Sequence, residues 1–194
     1  SVATFPAPST AYTLQKRMFQ EGGLPPNIRE GGFGTLISMI KAKQANIALE
    51  LEPNVSQSLT TGARIVYGLD KIYGNFQTTG LTTLPSTIND EPGKLKSIVC
   101  SLADAMDFIS QHPEDAVTLL TKRFPEIERP VATQALKRMA ESGVIPLTPV
   151  IQKDSWDNAI QLRKAVGDIK DGGQFEKFVD NQFTSNCSPP KGTK

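Results

Sequence analysis

The 194 residues of the chain are enough to bury a core, either in one domain or in two small ones. The 21 basic and 20 acidic side chains leave a net charge of +1 and are mixed along the chain, without a basic stripe. This pattern argues against nucleic acid as a partner and against electrostatic binding to a membrane. No stretch approaches the run of about 20 apolar residues that a transmembrane helix needs.

The first 30 residues predict a strand, a helix and a second strand. Residues 2–5 are mainly apolar, as in a short strand, and the prolines after them predict a turn. Ser9 or Thr10 then caps a helix, which a glycine pair ends and a proline pair keeps from continuing. Residues 27–30 predict the next strand.

From residue 31 onward the chain alternates turn, helix and strand. The predicted elements are a glycine-rich turn at 31–34, a helix at 35–44, a strand at 46–51, a helix at 53–60 and a strand at 63–69. Strands that alternate with helices of about ten residues are typical of parallel βαβ units. We therefore predict that residues 1–75 form a small α/β lobe.

The remainder of the chain differs from the first lobe in composition and in predicted secondary structure. Residues 76–90 are threonine-rich and predict an extended crossover, whereas residues 91–183 read as wholly helical. The predicted helices lie at 94–112, 113–124, 129–141, 154–167 and 172–182. Residues 184–194 are polar and are predicted to be a disordered tail.

The two cysteines have no spacing that suggests a metal site. Cys100 lies in an apolar helical pattern and is predicted to be a buried thiol, whereas Cys187 lies in the polar tail. A disulfide between them is an open alternative, so cysteine usage does not settle the redox compartment.

The start of the first helix is one candidate ligand site. Ser9, Thr10 and Tyr12 lie where free N–H groups and the positive end of a helix dipole favour an anion or a polar ligand. The alternative is a plain helix cap, which is the usual role of Ser and Thr at this position.

The glycine-rich turn is the second candidate site. Gly32, Phe33 and Gly34 precede a helix and let the backbone approach a ligand closely. The turn matches neither the dinucleotide-binding nor the P-loop motif, and no lysine is placed to reach a phosphate. A tight strand-to-helix turn without a ligand is the alternative.

Two further candidates follow the glycine-rich turn. Glu52 ends a predicted strand and could accept a hydrogen bond from a ligand amine or amidine, or from backbone N–H groups across a cleft. Alternatively, Glu52 starts the next helix, where acidic residues are favoured. Glu50 is predicted to be paired or exposed. Thr79 and its neighbouring threonines could donate hydroxyl groups to a ligand, although threonine is also a common strand residue.

An ordered series of segments carries a resemblance to a known family. The segments are EGGFGTLISMIKAKQANIA, then LEP and GARIVYGL, and later ISQHPEDAVTLLTKRFPEI, VATQALKRM, SWDNAIQLRKAVGDI and FVDNQF. In order and spacing the chain resembles, over residues 1–183, substrate-binding proteins of ABC importers of the nitrate/sulfonate/taurine and thiamine-pyrimidine-precursor type.

This resemblance implies an α/β fold like that of type II periplasmic binding proteins. Residues 1–75 would be one complete small βαβ lobe, 76–90 the crossover and hinge, and 91–183 the helical C-terminal half of the other lobe. Most of the sheet of that other lobe has no counterpart here. We therefore expect a fragment or natural truncation, or a second chain that completes the fold, and weak ligand binding by the chain alone.

The implied function is that of a solute-binding component. Two lobes would close around a small polar or anionic organic ligand and deliver it to an ABC permease, in a periplasmic or extracytoplasmic location. An anion site at the helix start would suit nitrate, sulfonate or carboxylate, whereas Glu52 would suit an amine-bearing heterocycle. No catalysis, cofactor, metal or nucleic acid is expected.

Three alternatives stay open. The chain could be the effector-sensing domain of a transcription regulator, an enzyme like the pyrimidine-precursor synthases, or a structural fragment without a ligand. The fungal synthases carry histidine and clustered cysteines in their cleft. Here the single histidine, His112, lies at a predicted helix end and is expected to be a surface residue.

Overall fold

The computed structural model describes residues 1–187, apart from the side chains of residues 70 and 71. Contacts divide the chain into two compact units. Unit 1 consists of Ser1–Thr78 and Asp154–Gln174, and unit 2 of Thr79–Lys153 and Phe175–Lys194. The division falls inside the predicted crossover. The segment at 154–174, which the sequence groups with the helical half, belongs to unit 1. The assignment of lobes and hinge stays a prediction.

A parallel three-stranded sheet forms the centre of unit 1. The strands are β1 (Val2–Thr4), β2 (Ile28–Glu30) and β3 (Ile47–Ala48), in the order β2-β1-β3. Ala3 is level with Arg29 on one side and with Ala48 on the other. The predicted α/β class with parallel strands is thereby confirmed, although β3 is shorter than the predicted strand.

Helices make up most of the remaining described structure. In chain order they are α1 (Thr10–Glu21), α2 (Leu36–Lys41), α3 (Asn54–Leu59), α4 (Asp70–Tyr73), α5 (Pro85–Asp90), α6 (Pro92–Gln111), α7 (Pro113–Arg123), α8 (Arg129–Glu141), α9 (Lys153–Ala165) and α10 (Phe175–Phe178). The helices predicted at 129–141 and 154–167 agree closely with α8 and α9.

The core of unit 1 lies between the sheet and α2. Ala3, Leu36 and Ala45 are buried together, and Phe5 and Met39 are among the residues packed against them. Small alanine side chains on the sheet side let the short helix approach closely. This packing places the start of α2 at the carboxyl edge of the strands.

Unit 2 is helical, and its buried residues lie where α7 packs on α8. Val117 of α7 and Val131, Ala132 and Ala135 of α8 are each at most 3% exposed. The break between α6 and α7 falls at Pro113, which lacks the N–H that would continue the α6 ladder.

Three predicted elements differ from the structure. Residues 63–69 form no strand, and Val66 in that segment is 64% exposed. The predicted extended crossover contains α5, because Pro85 suits the first turn of a helix. The helix predicted at 172–182 is reduced to α10, which starts only after Gly172 and Gly173, because their φ angles of 90° and 79° are not helical.

The predicted free thiol at Cys100 is wrong, because the structure joins it to Cys187 across 87 positions of the sequence. Lys96, one helical turn before Cys100, donates to the carbonyl oxygens of Phe183 and Ser185 and so holds the returning segment beside α6. Residues 184–186 form turns, and the predicted disorder of the tail stays a prediction, since its remaining residues after 187 lie outside the described residues.

Candidate functional site

The hydroxyl groups at the start of α1 already have protein partners. Ser9 Oγ accepts from Tyr12 N at 3.2 Å, which is the helix-cap alternative, and donates to Phe5 O at 3.3 Å. Thr10 Oγ1 accepts from Arg163 Nη2 at 3.0 Å. A ligand contact by Ser9, Thr10 or Tyr12 stays a prediction.

A charged cluster that sequence reasoning missed lies beside α1. Asp168 Oδ1 accepts from Lys16 Nζ at 2.8 Å, and Asp168 Oδ2 accepts from Thr13 Oγ1 at 2.5 Å. Arg163 Nη1 donates to Thr13 Oγ1 at 3.3 Å. Because about 150 positions separate the two halves of the cluster, no local pattern could have revealed it.

The electrostatics of this cluster favour an anion. Burial raises the pKa of Asp168. Hydrogen bonds from Lys16 and Thr13, together with the charges of Lys16 and Arg163, lower it by more, so the net shift of the pKa is downward. Asp168 is therefore ionised at neutral pH. Two cations against one carboxylate leave a positive balance, and the first turn of α1 holds no acidic residue.

The glycine-rich turn has a packing role at its first position. A Cβ atom at residue 31 would lie 2.5 Å from Met39 Sδ and 2.8 Å from Leu36 Cδ2. At Gly32 a Cβ atom would meet open space, whereas Gly34 has a φ angle of +79°, where glycine is favoured. The tight-turn alternative therefore explains Gly31 and Gly34 without a ligand.

Phe33 is the exposed member of this turn. Its side chain is 67% exposed, and its ring stacks on Phe5 with centroids 5.8 Å apart. Phe5 follows directly after β1, so the stacked pair lies at the carboxyl edge of the sheet.

An open groove of about 170 Å³ lies between α2 and α3. It is lined by Gly34, Ile37, Lys41, Asn54, Gln57, Ser58 and Thr61. Most of these side chains are polar and uncharged.

Glu52 is placed as a helix cap. Its Oε2 accepts from Ser56 N at 2.9 Å, so the carboxylate satisfies a free N–H group in the first turn of α3. The structure agrees with the helix-start alternative, and a ligand contact by Glu52 stays a prediction.

Glu50 is half-buried, and among the described residues it has hydrogen-bond partners but no ion pair. Its Oε1 accepts from Leu51 N at 2.9 Å, whereas Oε2 is buried and has no partner. Burial raises the pKa of Glu50, and this effect exceeds the lowering by the Leu51 N–H and the nearby Asn54 side chain.

Four buried polar side-chain atoms lack a hydrogen-bond partner within the described residues. Within residues 1–187, the buried side-chain N and O atoms without a hydrogen-bond partner are Thr4 Oγ1, Glu50 Oε2, Asn54 Nδ2 and Ser56 Oγ. Thr4 ends β1, Glu50 follows β3, and the other two lie in the first turn of α3. Buried polar groups are normally paired, and for Glu50 the neighbouring donor is the Asn54 side chain, which lowers the pKa of that carboxyl.

The other candidates lie elsewhere. Thr79 is the first residue of unit 2, whereas the other predicted ligand residues belong to unit 1. His112 is exposed at the end of α6, as predicted, with its ring 5.2 Å from that of Phe108. Trp156 donates from Nε1 to Gly173 O at 2.6 Å, which ties α9 to the loop after it.

Comparisons of the chain with models of protein families, with curated proteins and with solved structures find no match. In residues 1–187, no group of three or more His, Cys, Asp and Glu side chains is arranged to hold a metal ion. None of the helices described is both long and apolar enough to cross a membrane.

Proposed function

We propose that the chain is the solute-binding component of an ABC import system, in which two lobes of the type II binding-protein kind close around a small polar or anionic organic ligand. The observation that carries this proposal is that polar side chains end or follow the parallel strands, with Thr4 at the end of β1 and Glu50 after β3. Open α/β sheets bind their ligands at that edge. The role is binding and delivery to a membrane permease, without catalysis.

Two observations bear on the ligand. The Lys16, Arg163 and Asp168 cluster beside α1 has a positive balance, which favours an anionic group at Thr10. The groove between α2 and α3 is lined in part by Asn54, Gln57 and Thr61, whose side chains can hydrogen-bond to a ligand. A ligand with one anionic end and one neutral polar end satisfies both.

The Cys100–Cys187 disulfide supports an extracytoplasmic location. Disulfides persist in oxidising compartments and are rare in the cytosol. The permease partner rests on the sequence resemblance alone.

Thermal unfolding of the whole chain with a panel of solutes tests the proposal. The panel contains nitrate, methanesulfonate, taurine and short carboxylates and carboxamides. A ligand at 100 times its dissociation constant stabilises the folded state by about 2.7 kcal/mol, which raises the melting temperature measurably.

Substitution of Arg163 sharpens the test. We expect Arg163→Gln to reduce the stabilisation by anionic solutes, whereas Arg129→Gln, which removes an exposed cation in unit 2, leaves it unchanged. A panel in which no solute stabilises the chain at any concentration would refute the binding role.

A further inference from the structure

We propose that the Cys100–Cys187 disulfide is a reversible exchange site for low-molecular-weight thiols, in which Cys100 receives the thiol and Cys187 is the resolving cysteine. This redox role is separate from solute binding and does not depend on it. Both cysteines are partly exposed, and exposed disulfides are the labile kind. The surroundings of the two sulfur atoms differ in charge.

The sulfur of Cys187 lies beside a cation. Lys96 Nζ is 3.8 Å from Cys187 Sγ. The other contacts of this ammonium group within residues 1–187 are the carbonyl oxygens of Phe183 and Ser185, and it forms no ion pair with a carboxylate in that range. A cation beside a cysteine stabilises the thiolate. Cys187 is therefore the sulfur that leaves more readily as an anion.

Cys100 lies in a less favourable place for a negative charge. It is in the middle of α6, away from the positive end of the helix dipole. Asp104 follows it by one helical turn, and residues at that spacing are neighbours on a helix surface. A nearby like charge disfavours a thiolate at Cys100. Of the two possible exchange reactions, the one that leaves the charge on Cys187 is therefore favoured, and Cys100 receives the incoming thiol.

The external thiol is the one co-reactant of the exchange. Its thiolate attacks Cys100 Sγ and the Cys100–Cys187 bond breaks. A new disulfide then joins Cys100 to the external sulfur, and Cys187 becomes a thiolate beside Lys96. In the reverse step Cys187 attacks Cys100 Sγ and expels the external thiolate. Because one disulfide replaces another, no further oxidant or reductant takes part.

Hydrogen bonds hold the segment that carries Cys187 independently of the disulfide. Asn181 Oδ1 accepts from Ile151 N at 3.1 Å, and Asn181 Nδ2 donates to Ile151 O at 3.0 Å. Thr184 Oγ1 donates to Asn181 O at 2.7 Å, which orders the turn that follows. These contacts keep Cys187 near Cys100 after the bond opens, so Cys187 can resolve the adduct.

Glutathione is the probe that tests this site. The oxidised whole chain is incubated with reduced glutathione, free thiols are trapped with N-ethylmaleimide at short times, and peptide mass spectrometry locates the adduct. We expect glutathione mainly on Cys100 and maleimide mainly on Cys187. In an untrapped sample from which glutathione is removed, the Cys100–Cys187 bond should re-form. In Cys187→Ser, an adduct formed with oxidised glutathione should persist, because the resolving sulfur is absent.

Variants of Lys96 test the cause of the preference. Lys96→Gln removes the charge beside Cys187, and the exchange rate should fall about threefold with loss of the preference for Cys100. Lys96→Arg keeps the charge and should keep the preference. The matched control is Lys94→Gln, which removes an exposed cation of the same helix that pairs with Glu91 and should change neither the rate nor the position of the adduct.

The position of the adduct on the parent chain decides the proposal, even if Lys96→Gln does not fold. An adduct mainly on Cys187, or one divided equally between the two cysteines, would overturn it. The absence of any adduct from the folded chain would also overturn it, because the disulfide would then have a purely structural role. A preference that survives unchanged in Lys96→Gln would remove Lys96 as its cause and so contradict the mechanism.

Discussion

At the scale of single residues, the two glutamates after β3 have different surroundings. Glu52 caps α3, which is one of the two roles predicted for it, whereas Glu50 is half-buried beside the Asn54 side chain. The alternation of a strand gives no guide here, because β3 ends at Ala48 and both acids follow it. Which carboxylate is buried depends on where α3 packs.

The glycine-rich turn supports a residue-scale prediction. Gly31→Ala places a methyl group against the fully buried Leu36, and we expect a loss of about 1–3 kcal/mol in unfolding free energy from overpacking. Gly32→Ala is the control, since its added Cβ atom meets open space. Urea unfolding of both variants measures the difference, and equal stabilities would contradict the packing role of Gly31.

At the scale of elements, local sequence patterns predict most of the helices but not the elements that these helices pack against. Proline at the first turn and a break at Pro113 mark α6 and α7, and the glycine pair at 172 and 173 shortens α10. The β-branched stretch at 63–69 reads as a strand, yet it does not pair with the sheet. Strand formation requires a neighbour with free backbone groups, and no local pattern encodes that neighbour.

The disulfide supports an element-scale prediction. Cys100 of α6 and Cys187 close a loop of 87 positions, so the bond restricts the unfolded chain strongly. Reduction should lower the unfolding free energy by about 2–4 kcal/mol. Cys187→Ser should have a similar loss and, in contrast to the parent chain, no response to reductant. If reductant does not change the unfolding curve of the parent chain, the disulfide does not stabilise it.

At the scale of the whole molecule, residues far apart in sequence build unit 1. The segment at 154–174 joins the N-terminal strands, and Arg163 and Asp168 contact α1 across about 150 positions. The positive cluster beside Thr10 therefore exists only because the chain returns to its first unit. Composition alone, with a net charge of +1, gives no sign of it.

The lowered pKa of Asp168 supports a whole-molecule prediction. Because its pKa in the folded chain lies below the ordinary value of 3.8, its contribution to stability is present above pH 3.8 and is lost as pH falls through the folded pKa. Asp168→Asn should cost about 1–3 kcal/mol at neutral pH and reduce the loss of stability in acid.

Asp171→Asn is the matched control for this variant, since it removes an exposed carboxylate three residues away in the same segment. Urea unfolding from pH 2 to 7 measures both variants. If the unfolding free energy of Asp168→Asn and of the parent chain falls equally as the pH is lowered, the ion-pair role of Asp168 is contradicted.

The sequence by itself determined the α/β class, most helices and the position of the glycine-rich turn, because caps, breakers and hydrophobic periodicity act between near neighbours. Tertiary structure alone decided the Cys100–Cys187 bond, the Arg163 and Asp168 contacts, and the half-buried position of Glu50. Each of these depends on burial or on a contact between distant segments. The family resemblance and its binding role remain predictions, because they rest on segments whose partners in space the sequence does not specify.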